Sequence, residues 1–374
     1  MAGRKFAFKT ARRVLLAALA FVLALFIIVN HSHLTPGRFG EWADESFARL
    51  GGGGGYPYDI NANSVLDMQR FDTDVALLTD TSLMILSPSA KELCNRQHGF
   101  SNPSMDVGDE RIIVFDRGGK KFAVQNRSTM LFEKELTQKI VTCAIGRQGN
   151  FAVATESAQA VCEMTVYNRN FTPLLTWYSA ADHVVDAAMS PDGKYAAVAT
   201  IGTVNGDMAS HIIIISFKTG KEAASLDYPG TTLLSLSFTD GNTVTAVGDN
   251  LMTTVKNQTK RGETVKFDGE LNRFSNHRDS GASVLLMANS SNKFLTLKPD
   301  GGKTAPVTLA KKARWIDSDG SRTAVLYDAG LEVYGSGGKP QSSVDAGTDA
   351  VRILINSKSI YVLSFASLNK YDLK

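Results

Sequence analysis

A repeat constrains this chain more than any other feature. One pattern recurs: a short apolar strand, a turn that sets Asp or Asn beside Gly, then a second strand rich in Ala and Val. Residues 187–200, AAMSPDGKYAAVAT, are the clearest copy. Residues 236–238 lead through Asp240-Gly241-Asn242 to residues 244–247, and Trp315-Ile316 lead through Asp317-Ser318-Asp319-Gly320 to residues 324–326. Residues 143–145 lead through Gly146-Arg147-Gln148-Gly149-Asn150 to residues 152–155. A weaker copy covers residues 276–287, with Asp279-Ser280-Gly281 at its turn. Asp-Gly and related pairs supply the positive φ of a tight hairpin. Small and β-branched residues then suit a strand buried on both faces. A third strand follows, as at 211–217, then the turn Lys218-Thr219-Gly220-Lys221 and a more polar fourth strand at 222–228.

Four antiparallel strands per repeat predict the blades of a β-propeller. Blade starts fall near 64, 104, 140, 184, 232, 270, 313 and 350. The mean step, about 41 residues, lies inside the range of known blade repeats. The last unit, residues 350–374, holds three strands, and residues 56–60 are placed to supply its missing outer strand and close the ring. The expectation is an all-β fold: one propeller of about eight four-stranded blades over 56–374, with seven blades as the alternative. A β-sandwich of about 310 residues would be oversized. A parallel α/β fold needs amphipathic helices between strands, and none is legible after Leu50.

One transmembrane helix is expected before the propeller. Residues 14–29, VLLAALAFVLALFIIV, are sixteen apolar residues in a row. As a helix they cover about 24 Å, slightly less than a hydrocarbon core of roughly 30 Å. Neighbouring residues extend the span to 14–32, and flanking Arg side chains can snorkel. Arg4, Lys5, Lys9, Arg12 and Arg13 precede it without an acid, which places the 1–13 tail in the cytoplasm and the rest outside. A cleavable signal peptide is the rival reading, but the run is longer than its usual apolar region and no small-x-small cleavage pattern follows. Residues 33–55 read as a juxtamembrane helix and a Gly-rich linker. Phe39, Trp42, Phe47 and Leu50 share a helical face, suited either to the membrane interface or to packing on the propeller. Gly51 to Gly55 form the linker.

The five tail cations also explain the charge. Without them, 35 Lys+Arg face 37 Asp+Glu, so the main domain carries about −2 and offers no electrostatic case for nucleic acid. Cys94, Cys143 and Cys162 form no CxxC and have no His at ligand spacing, so they read as small buried hydrophobes. Cys143 and Cys162 share a repeat, and an oxidising compartment would allow them to pair.

Chemistry-bearing motifs are sparse. Asp317-Ser318-Asp319-Gly320 looks like the start of a calcium loop but lacks the later ligands, and it sits where other repeats have their hairpin. Asp106-Val107-Gly108-Asp109-Glu110 reads as the same kind of turn. Asp116-Arg117-Gly118-Gly119-Lys120-Lys121 lacks phosphate-loop spacing and reads as a blade hairpin. The six histidines are scattered, and no nucleophile elbow is present. No catalytic, cofactor-binding or metal-binding residue is assigned, and no cofactor is expected.

The turn Ser190-Pro191-Asp192-Gly193-Lys194 followed by Tyr195-Ala196-Ala197-Val198-Ala199 resembles the blades of WD-repeat-like and quinoprotein-like propellers, without the Trp-Asp and Gly-His signatures of true WD repeats. A closer likeness spans the chain: anchor, Gly-rich linker, Gly55-Tyr56-Pro57-Tyr58, Ser101-Asn102-Pro103, Phe115-Asp116-Arg117-Gly118-Gly119 and Ala152-Val153-Ala154-Thr155. This order resembles an uncharacterised family of membrane-anchored β-propellers from Gram-positive, Clostridia-type bacteria. The resemblance implies fold and location and carries no activity. The expected role is therefore a non-enzymatic scaffold at the outer membrane face, binding another protein or a cell-envelope ligand. The alternatives are a propeller enzyme (hydrolase, lyase or quinone-dependent dehydrogenase) and a sensor ectodomain working through a partner.

Overall fold

A computed structural model describes residues 40–41, 44–45, 47–60, 65–239, 243–288 and 291–373. The expected tail and transmembrane segment, residues 1–32, lie outside the described residues, as do Phe39, Trp42 and the Asp240-Gly241-Asn242 turn. Among the described residues no helix is long and apolar enough to cross a membrane. Contacts divide the chain into two units, Met1–Gly51 and Gly52–Lys374. In the first, residues 40–41, 44–45 and 47–48 are helical, and Phe47 and Leu50 are exposed.

The second unit is an eight-bladed propeller. Each of its eight sheets has four antiparallel strands in sequence order, except the last. The first strands of the blades are Val65–Phe71, Pro103–Val107, Ile140–Ile145, His183–Met189, Leu233–Phe238, Glu270–His277, Ala313–Ser318 and Ala350–Asn356. Each begins within one residue of the position expected from the repeat. In blade 8 the outer strand comes from the start of the domain: Tyr58–Asp59 pairs with Ser367–Asp372, Tyr58 opposite Leu368 and Asp59 opposite Ser367. The expected ring closure is therefore present, and eight is the blade count.

The core is divided rather than central. Eight apolar clusters occupy the eight interfaces between neighbouring blades; one holds Ala144, Met164 and Val166 of blade 3 against Val184, Val198 and Ile215 of blade 4. This is why the second strands run so apolar. Asp74–Thr79 is buried at every position because it faces a neighbour on each side. The closing interface joins Leu354, Tyr361 and Leu363 of blade 8 to Val75, Leu77 and Leu86 of blade 1, with Ile60 and Leu368 at the seam.

Cys94, Cys143 and Cys162 are buried free thiols. Cys143 and Cys162 do not pair: the strand Phe151–Glu156 lies between theirs, and their side chains enter different inter-blade cores. Two strand spacings are about 9.5 Å, beyond disulfide reach.

The glycine run is held at two positions. Gly53 donates its N–H to Ser89 Oγ at 3.1 Å, and a Cβ there would stand 2.2 Å from Ser89 O and Lys91 N. Gly55 N bonds Ser89 O at 3.1 Å. Ser89 belongs to the turn between the third and fourth strands of blade 1. The chain therefore enters the propeller on the face that carries the first-to-second and third-to-fourth strand turns, the turn face. The opposite, open face carries the second-to-third strand turns and the links between blades.

Candidate functional site

The first strands surround a cavity of about 510 Å³ along the propeller axis. A feature the repeat did not announce shapes its walls. In seven blades the first strand bulges near its beginning, so one residue is left unpaired and the strand re-aims the next. The first residues beyond the bulge form a ring near the open face. Three successive blades, 6, 7 and 8, place Arg273, Trp315 and Arg352 there. Blades 1, 3, 4 and 5 place Asp67, Thr142, Asp186 and Ser235. The mouth thus has a basic, aromatic arc and an acidic, hydroxyl-bearing arc. Both guanidiniums lie over Trp315, with the Arg273 and Arg352 carbons 5.6 and 5.0 Å from its ring centroid. Arg352 Nη1 also lies 3.7 Å from Asp67 Oδ1.

The turn-face end of the cavity is crossed by ion pairs. The loop after Glu270–His277 in blade 6 reaches across the axis. Asp279 pairs with Arg147 of blade 3, and Arg278 donates to Ile145 O of the same blade. Asp109 of blade 2 joins both arginines, 3.6 Å from Arg147 Nε and 3.8 Å from Arg278 Nη1. Arg70 of blade 1 donates to Ser280 Oγ at 2.7 Å. Asp279 holds a left-handed φ of 63°, one that Asp tolerates better than most residues and that turns the loop inward.

Three carboxylates inside the ring share one structural role. Each accepts a backbone N–H from the next blade: Asp106 from Ile145 at 2.7 Å, Asp186 from Leu236 at 2.8 Å, and Asp317 from Ile355 at 2.7 Å. Their charges differ because their neighbours differ. Burial pushes Asp186 up to about 7, with only its two backbone donors and distant Arg117 opposing. Burial also raises Asp106, against Arg278 and two backbone N–H groups. Burial would raise Asp317 too, but Arg70 and His277 outweigh it and hold the carboxyl well below the usual range. Asp317 accepts from Ser275 Oγ and His277 Nε2 at 2.8 Å each and from Arg70 at 3.1 Å.

The sequence reading assigned the Asp317 and Asp106 segments to turns. That holds for Asp319, which caps Ser321 and Arg322. It does not hold for Asp317 or Asp106, which lie on first strands and tie neighbouring blades together. The available signal was a lone acid in an otherwise apolar strand, as in Val184-Val185-Asp186-Ala187-Ala188. Asp116–Lys121 does form the second-to-third strand turn of blade 2. Ser275 and His277 both bond Asp317, so the imidazole does not stand between hydroxyl and carboxylate as acyl-transfer chemistry requires. Burial pushes the Cys143 thiol well up, away from nucleophilic use. Among the described residues no group of His, Cys, Asp and Glu is arranged to hold a metal ion.

The open face is also where apolar surface is exposed. Leu66, Tyr178, Met208, Leu234, Met287 and Phe365 are large hydrophobics at least 39% exposed, and all lie at the open-face ends or turns of their strands. Among the described propeller residues only Leu174 matches them on the other side. Blade 4 adds a projection. Its second and third strands, Tyr195–Val204 and Asp207–Ser216, are ten residues each and meet at an Asn205-Gly206 turn, with Met208 beside it. That is about four residues, or roughly 13 Å, more than in the other blades except blade 6, whose strands are eight and seven residues.

Comparison with known proteins places this geometry. The family described as "Family of unknown function (DUF5711)" matches residues 57–371. No curated protein matches the sequence. Among solved structures, BamB from Moraxella catarrhalis aligns with a TM-score of 0.55 and 9% identity over 84% of this chain and 98% of that one. Sqt1 from Saccharomyces cerevisiae aligns with a TM-score of 0.57 and 11% identity over 85% and 98%. The C-terminal WD40 domain of Sif2 aligns with a TM-score of 0.59 and 12% identity over 86% and 100%. At these identities the likeness is one of fold.

Proposed function

Because the chain belongs to the DUF5711 family of unknown function, no activity is inherited, and we propose from its own surfaces that it is a non-enzymatic protein-binding scaffold, held by a single N-terminal transmembrane helix with its propeller outside the cytoplasm. One observation carries the binding role: among the described propeller residues six of the seven exposed large hydrophobics lie on the open face, spread over blades 1, 3, 4, 5, 6 and 8. Apolar side chains exposed on one face among polar ones suit a protein interface. The anchor rests on the unbroken 14–29 apolar run and its cationic flank.

The test places a photo-crosslinking amino acid at Met208, at Phe365 or at Leu174 in native membranes. The two open-face sites should give the same defined adduct, Leu174 should give none, and Phe365→Glu should abolish the Met208 adduct. Equal labelling from all three sites, or none from any, would remove the scaffold reading.

A further inference from the structure

The basic, aromatic arc names the chemistry of the partner. Arg273, Trp315 and Arg352 stand at equivalent register in consecutive blades, so their convergence follows from ring geometry and not from a single loop. Two guanidiniums share one indole ring, and cation–π contact satisfies each without neutralising it. Arg273 has one hydrogen bond, to its neighbour's carbonyl, Asn272 O at 2.9 Å. Arg352 meets a single carboxylate, Asp67, at the long distance of 3.7 Å. Arg117, exposed on the same face, leans on Phe115 at 6.0 Å. The mouth therefore presents fixed cations with unused planar donors, the geometry that favours carboxylate. Beyond this arc lies the apolar surface of the open face.

We infer that the open mouth receives an acidic segment of a partner polypeptide, whose carboxylates bind Arg273 and Arg352 while its apolar side chains pack on the surrounding rim. The inference rests on the scaffold reading and adds the charge of the segment. Charge complementarity selects this occupant. A second copy of this chain would bring the same basic arc to the mouth, and a small inorganic anion would leave the apolar rim uncovered. Asp67 flanks Arg352 at one end of the basic arc and sets the direction, because a segment bearing both signs would align its carboxylates toward blades 6 to 8 and its cation toward blade 1.

The test uses the full chain in nanodiscs and three fluorescein-labelled peptides of alternating charged and Leu residues. One carries Glu, one Gln and one Lys. Anisotropy should show the Glu peptide binding most tightly, with affinity falling as salt rises. Arg273→Gln combined with Arg352→Gln should weaken it by about ten-fold or more, the scale expected when charge-assisted bonds are lost. Arg352→Lys, which keeps the charge but not the planar fork, should fall between. Thermal melts of each variant separate lost binding from lost fold. Equal affinity for the Glu and Gln peptides, no binding of any peptide, insensitivity to the double variant, or double-variant-sensitive binding of inorganic phosphate alone would each overturn the acidic-segment inference. The open-face crosslinks do not depend on charge, so their presence alongside a failed peptide result would leave the scaffold standing without it.

Discussion

Asp186 and Asp317 occupy the same kind of strand and both brace the next blade, yet their protons are held in opposite senses. Asp186 is raised from 3.8 to about 7 by burial, with no cation beside it. Asp317 is buried at 2% exposure and lowered because Arg70 and His277 surround it. The signs follow from linkage. A raised carboxyl contributes stability that is full below pH ~4 and is lost as pH climbs through about 7. A lowered one contributes stability present above pH ~4 and lost in acid. Asp186→Asn should therefore remove a penalty that grows from about pH 4 to about pH 7, worth up to about 4 kcal/mol at the 1.36 kcal/mol carried by each pK unit. Asp317→Asn should cost about 3 kcal/mol at pH 7, because Arg70 loses its buried partner, and progressively less toward pH 2. Urea unfolding of the three proteins across that pH range checks both signs; parallel curves would refute them. In the sequence Asp186 stood as an acid between apolar neighbours and Asp317 as part of a hairpin turn, and neither showed its charge state, which depends on blades far along the chain.

At the scale of elements, the repeat was legible because each blade encodes its own strands and turns. The Asp-Gly turn at 192–193 appears as read, with Gly193 at φ 68° and its N–H on Ser190 O at 3.0 Å. The closing strand was readable from an arithmetic gap, three strands in the last unit and an unclaimed strand at the start of the domain. Its role gives a prediction. Tyr58 Oη donates to Glu92 at 2.6 Å, Tyr56 Oη to Ser87 O at 2.9 Å, and Ile60 N to Ala366 O at 2.8 Å, so the strand ties blade 8 to blade 1 on both sides. Deleting residues 56–60 should lower the melting temperature by about 10 °C or more, given several kcal/mol of lost seam. It should also expose the edge of Ser367–Asp372, giving concentration-dependent association in size-exclusion chromatography. An unchanged melt would mean that the seam contributes nothing to closure. The first-strand bulges and the length of the blade 4 hairpin escaped the sequence reading. A bulge inserts one residue, and in first strands of five to eight residues that local break in alternation is too short to read, while the Asn205-Gly206 turn that extends the hairpin lay outside the strand assigned to 211–217.

For the molecule as a whole, location has its own test. If the 14–32 segment spans the membrane with its basic flank inside, alkaline phosphatase fused after Lys374 will be active in the envelope, and a cytoplasmic reporter at the same point will be silent. The reverse pattern would place the propeller in the cytoplasm and remove the anchor reading.

The sequence by itself determined what is local and periodic: a repeat near forty residues, four strands in each, turns rich in Asp and Gly, an apolar run with cations on one side, and the gap that calls for a closing strand. It did so because hydrogen bonding along neighbouring strands leaves a period in the residues themselves. Only the tertiary structure decided which groups meet at the axis. Arg147 and Asp279 are 132 residues apart and pair because the loop after the first strand of blade 6 reaches across the ring to blade 3. Arg273, Trp315 and Arg352 become one arc because three bulges turn them to the same mouth. Ring closure brings together residues that no spacing in the sequence relates, and the walls of the axial cavity are made from them.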